Sequence, residues 1–196
     1  MLHRIRYAMK SQTFERLSGD VEADETFIGG KLRHKRRTHY HVPSGLKSGN
    51  MGKTPVLGIL QRDGDVRAWV VPDVRKRTLL PKIWENVVPG SRMFTDSAHH
   101  YADLRSAYYH ATVNHALEYV SREGAHVNNL ECFWGVLKRA LGGTYICARP
   151  KHLDRYLDEQ IFRWNERKSK DGPRFVEVVK RADGRRLTWA TLTAKT

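Results

Sequence analysis

The chain has 196 residues, 40% of them hydrophobic, with five Trp, eight Tyr and six Phe. This is the make-up of a globular domain with one main core, and it excludes a low-complexity disordered chain; no apolar run approaches a membrane span. Thirty-five Lys and Arg against 21 Asp and Glu give a formal charge of +14, which points to a polyanionic partner without naming a reaction.

Two widely spaced cysteines do not make a disulfide framework, and the opening Met1-Leu-His-Arg-Ile-Arg lacks the apolar stretch of a secretory signal. The expected location is a reducing cytoplasm.

Residues 1–20 read as a short helix and linker, with Ile5, Met9 and Phe14 loosely periodic and a break at Ser18-Gly19-Asp20. Val21 to Ile28 reads as a strand stopped by Gly29-Gly30, with Asp24 in its middle. Between Lys31 and Lys53 stand seven Lys or Arg, three His and no acidic residue, so this stretch is expected to be a basic loop. Pro55–Gln61 and Val66–Val71 flank Asp63-Gly64, a pair suited to the positive φ angles of a hairpin turn.

Thr78 to Val88 carries Leu79, Leu80, Ile83, Trp84 and Val87 at helical spacing before Pro89-Gly90. Arg92–Asp96 reads as a strand with Asp96 at its C-terminal end, Tyr101–Tyr108 as a helix and Ala111–Asn114 as a brief strand. Residues 126–141 form a helix with Leu130, Phe133, Trp134, Leu137 and Leu141 along one stripe. A basic helix over Pro150–Arg167, burying Leu153, Leu157, Ile161 and Trp164, and a weakly periodic basic tail complete the chain. The order predicts an α/β fold, a mixed sheet flanked by helices over residues 21–145, with a basic helical C-terminal extension over 146–196.

Glu131 and Lys138 are seven residues apart and therefore about 20° apart around a helix, with Asn128 and Gly135 on the same side. A carboxylate and an ammonium with no side chain between them would let a phosphate backbone approach. An equally available reading is that Asn128-x-x-Glu131 forms a capping box. Asp24 is disfavoured in a strand interior, although unremarkable on an exposed face, and Asp96 can serve as an N-cap. Taken together, two strand-borne Asp and one helix-borne Glu supply the hard oxygen donors that Mg²⁺ prefers. Two such ions would support in-line displacement at phosphorus.

Asp24-Glu-Thr-Phe-Ile-Gly-Gly-Lys31, Phe94-Thr-Asp96 and His126-Val-Asn-Asn-Leu-Glu131-Cys-Phe-Trp-Gly-Val-Leu-Lys138 resemble DDE-type transposases of bacterial insertion sequences. Within these, the chain is most similar to the D-D-E-K group related to Merlin elements. Thirty-four residues lie between Asp96 and Glu131, and Leu153 through Arg167 is similar to the family's helical C-terminal segment.

The resemblance implies a ribonuclease H-like fold, with Asp24, Asp96 and Glu131 as ligands of two Mg²⁺ or Mn²⁺ ions and Lys138 touching DNA. It also implies terminal inverted repeats and target DNA as substrates, and a homo-oligomer assembled on DNA. Lys31, Arg33, Lys35, Arg36, Arg37 and Arg139 are the further candidate phosphate contacts. Such proteins often carry an N-terminal zinc-binding module, for which this sequence has no ligand set, so a truncated, non-catalytic DNA-binding relic is the alternative. His34, His39 and His41 read as solvent-exposed. His126 reads equally as a DNA or water contact and as packing, and Cys132 and Trp134 as packing residues.

Overall fold

The computed structural model describes residues 2–11, 15–30, 50, 52–96, 98–113, 126–145 and 148–193. Most of the expected basic loop, including Lys31, Arg33, Lys35, Arg36 and Arg37, and with it His34, His39 and His41, lies outside the described residues. The chain divides into two units, Glu15–Lys138 and Met1–Phe14 with Arg139–Thr196.

The first unit is built on a five-stranded mixed sheet: β1 (Asp20–Ile28), β2 (Thr54–Gln61), β3 (Val66–Val70), β4 (Arg92–Asp96) and β5 (Tyr109–Val113), in the order β3-β2-β1-β4-β5. β1 pairs antiparallel with β2 and β2 with β3, whereas β4 runs parallel to β1 and β5 parallel to β4. β2 has Val56 to Leu60 buried without interruption, the mark of a strand covered on both faces.

One face of the sheet carries α2 (Lys76–Asn86) and a 3₁₀ segment, His99–Ser106. Val21, Ala23, Leu57 and Ile59 pack there against Leu79, Leu80, Ile83, Tyr101 and Leu104. α3 (Asn128–Arg139) lies on the opposite face, with Leu130, Phe133, Trp134 and Leu137 buried.

The predicted strands and the helices around Ile83 and Phe133 are present, with boundaries shifted by a few residues. Tyr101–Tyr108, expected as a helix, is instead a 3₁₀ segment from His99 to Ser106. Its side chains do not follow the α-helical period, because Tyr101 and Leu104 bury at the 3₁₀ spacing of three. In the hairpin turn Asp63 takes the positive φ of 59° and Gly64 does not, the short polar side chain of Asp tolerating the left-handed region.

The second unit contains α1 (Leu2–Met9), α4 (Leu153–Asn165), α5 (Asp171–Ala182) and α6 (Trp189–Thr193). α1 is shorter than the expected opening helix, and Leu17 instead bridges to Val87 in the sheet unit. The weakly periodic basic tail contains α5, whose Phe175, Val176 and Val179 remain exposed. Trp164 is only partly buried, because the inward stripe of α4 runs through Leu153, Leu157, Ile161 and Phe162. Arg6 donates to Glu159 at 2.8 Å and stacks over Tyr156 at 4.3 Å, tying α1 to α4 through a buried ion pair.

Gly58 is the register partner of Asp24, and a Cβ there would stand 2.5 Å from Cζ2 of Trp134. Gly58→Ala is expected to cost about 1–3 kcal/mol as an overpacked core site. Thermal unfolding checks this, and a midpoint equal to wild type would show that the indole has room to move.

Candidate active site

Successive side chains of β1 point to opposite faces, so Glu22 and Asp24 meet α3 while Val21 and Ala23 enter the opposite core. Glu22 is fully buried. Its Oε1 accepts from Arg62 Nε at 3.0 Å and Asn129 Nδ2 at 2.9 Å, and its Oε2 accepts from the backbone N–H of Leu130 at 3.0 Å. A carboxylate from a strand thus satisfies a free N–H in the first turn of α3, where the helix dipole favours negative charge. Arg62 completes the lock by donating to the His126 carbonyl at 2.9 Å and lying 4.0 Å from the Phe94 ring centre.

Two residues along β1, Asp24 Oδ2 accepts from Trp134 Nε1 at 2.9 Å. β1 and β4 are paired from Asp20↔Arg92 to Ala23↔Thr95, so Asp24 and Asp96 stand side by side one step past the last pair. Asp96 Oδ1 accepts from the Ala98 N–H at 3.0 Å, an i→i+2 turn contact; the residue that caps the 3₁₀ segment after it is Ala98, with no side-chain cap bond, so Asp96 is not its N-cap. Burial, the charge of Glu25 and that of Asp96 push the Asp24 carboxyl up to about 7, against the opposing bond from Trp134.

Glu25 points to the other face, where Tyr101 Oη donates to its Oε2 at 2.7 Å and His100 Nε2 lies 3.3 Å from Oε1. Burial opposes protonation of His100, but the Glu25 bond and charge outweigh it and raise the imidazole above its usual range. Burial also raises the Tyr101 phenol well above its usual range, with the nearby carboxylates adding to it, so it acts as a donor.

The structure therefore brings Asp24 and Asp96 together. Glu131 and Lys138 are exposed on α3, and among the described residues no group of three or more His, Cys, Asp or Glu is close enough to hold a metal ion. Glu131 has interactions of its own and is one helical turn before Trp134. A Cβ at Gly135 would meet no atom of the described residues within 4 Å, so among them nothing covers the helix surface between Glu131 and Lys138 there. Arg139 is the exposed last residue of α3.

Cys132 is exposed rather than packed, since it falls off the inward stripe of Leu130, Phe133, Trp134 and Leu137. Trp134 is buried as expected but also binds Asp24. His126 Nδ1 lies 3.4 Å from Glu22 Oε1, a contact within the lock. Glu22 and Arg62 were not foreseen; the one available signal was an acid two residues before Asp24 in a strand whose alternation puts both on one face.

Paired strand carboxylates on a five-stranded mixed α/β sheet are consistent with a nuclease-like fold. The chain belongs to the ISXO2-like transposase domain family, whose model matches residues 16–165. It is also 34% identical over 97 residues to an uncharacterized transposase-like protein of Haemophilus influenzae, a match covering 49% of this chain and 77% of that relative. No solved structure matches it. No helix among the described residues is long and apolar enough to cross a membrane.

Glu22→Ala would strand Arg62 and the α3 amide, and is expected to cost about 3–5 kcal/mol, as breaking a buried pair does. Urea unfolding measures this; a loss below about 1 kcal/mol would show that water replaces the carboxylate without penalty.

Asp24 keeps its proton to about pH 7 in the folded chain but loses it near 3.8 when unfolded. Between these values the folded state holds the extra proton, so stability falls as the pH rises. Unfolding in the presence of a chelator, from about pH 4 to about pH 7, is expected to show a downward slope that Asp24→Asn lessens. Identical slopes in the two proteins would refute the raised carboxyl.

Proposed function

We propose that this chain is the catalytic core of a DNA transposase that cleaves the ends of a mobile element and transfers them into target DNA. The observation that carries this reading is the placement of Asp24 and Asp96 side by side at the end of a parallel ladder, in a chain of a transposase family. The strand order β3-β2-β1-β4-β5 supports a ribonuclease H-like assignment. The spacing of Glu131 and Lys138 supports the D-D-E-K group related to Merlin elements.

Asp24 and Asp96 offer hard oxygen donors, and a divalent cation would offset what raises Asp24, namely burial first, then the charge of Glu25 and that of Asp96, which fits Mg²⁺ or Mn²⁺. In this reading Glu131 is the third donor, from α3. When bound, two such ions supply activation of the attacking oxygen and stabilisation of the leaving oxygen.

The chain's own residues do the positioning. Glu22 and Arg62 hold α3 against β1. The open surface at Gly135 admits a phosphate backbone, with Lys138 as its charged contact. Arg139 and the basic stretch with Lys31, Arg33, Lys35, Arg36 and Arg37 add affinity for terminal inverted repeats and target DNA, on which the protein works as a homo-oligomer. A water cuts the element end, and the freed 3′-hydroxyl then attacks a target phosphodiester.

The test is cleavage and joining of labelled DNA carrying the element ends, with Mg²⁺ or Mn²⁺. Asp24→Asn, Asp96→Asn and Glu131→Gln are each expected to lower turnover by more than the ~10–100-fold typical of groups around a metal's ligands, in folded protein. Undiminished metal-dependent cleavage by all three variants would sink the proposal. Binding without products from wild type would favour the non-catalytic relic.

A further inference from the structure

Trp134 occupies a seat between α3 and β1 that packing alone does not require. Its side chain is 4% exposed, and its Nε1–H donates to Asp24 Oδ2 at 2.9 Å. The register partner of Asp24 is Gly58, the position at which a Cβ would stand 2.5 and 2.6 Å from Cζ2 and Cη2 of the indole. The strand is therefore bare where the ring lies, and the ring cannot shift toward it. An indole has one polar hydrogen and accepts nothing, so it engages one oxygen of a carboxylate.

A phenylalanine would fill the same stripe of α3 without that bond. Moreover, the bond joins β1, which carries Asp24, to the helix that carries Glu131 one turn earlier. Groups that hold a ligating carboxylate in place commonly govern metal affinity.

We propose that Trp134 is a positioning residue: it fixes the rotation of the Asp24 carboxylate by holding Oδ2, presents the remaining donor capacity to a divalent cation, and couples α3 to that strand. The inference rests on the reading of Asp24 as a metal ligand.

The full chain, labelled with ¹⁵N, is titrated with Mg²⁺ while the resonances of the five Trp indole N–H groups are followed, that of Trp134 being assigned by through-bond correlation in wild type. In parallel, Mn²⁺ binding is measured by electron paramagnetic resonance for wild type, Trp134→Phe and Gly58→Ala. The Trp134 resonance is expected to move and saturate together with metal binding. Trp134→Phe is expected to bind Mn²⁺ ~10–100-fold more weakly, and Gly58→Ala, which keeps the indole but unseats it, to weaken binding in the same direction.

Saturable metal binding with an unmoved Trp134 resonance, or wild-type affinity in Trp134→Phe, would overturn the positioning role and leave the metal reading standing. Absence of Mn²⁺ binding in wild type would overturn that reading, and the inference with it. Should Trp134→Phe not fold, the wild-type titration decides alone.

Discussion

A fully buried carboxylate must be matched by donors, and Glu22 is the point from which the sheet unit is organised. Its two oxygens take up Arg62, the Asn129 amide and the first-turn N–H of Leu130, so the charge, the turn after β2 and the start of α3 are fixed by one side chain. Desolvation makes the arrangement all-or-none: a carboxylate at this depth with any partner missing would be costly.

That anchor also sets the next contact. From Leu130 to Trp134 the helix rises about 6 Å over one turn, and from Glu22 to Asp24 the strand advances about 6.6 Å on one face. The two periods agree, so a helix pinned at Glu22 arrives with its indole at Asp24. Gly58 leaves the room for it on the neighbouring strand. The candidate site is thus a consequence of helix–strand registry, reached through Glu22 rather than through the carboxylates alone.

The end of the parallel ladder gives the site its electrostatics. Past Ala23↔Thr95 the two strands no longer pair, and Asp24 and Asp96 face one another with Glu25 just across the strand. Burial and the like charges of Glu25 and Asp96 together hold a proton on Asp24. On the other face Tyr101 and His100 satisfy Glu25.

Much of the fold was legible in the residues. The apolar runs around Asp24, Ile59 and Ala68 bounded by turn residues, the helical stripe from Leu130 to Leu137 and the strand ending at Asp96 each specify an element through local sequence. The pairing of acids on a basic chain and the spacing of Glu131 and Lys138 were likewise available, and they pointed to the family. Local spacing could not show the 3₁₀ form of His99–Ser106, since it depends on which neighbours the segment meets, whereas the exposure of Cys132 follows from its place off the helical stripe. Nor could it show that Glu22 caps α3 across 108 positions of sequence, that Trp134 binds Asp24, or that Gly58 is bare to seat the ring. The sequence by itself determined the elements and the residue types able to do the chemistry. Only the tertiary structure decided which carboxylates stand together and what holds them, because desolvation and registry exist only once distant segments are packed.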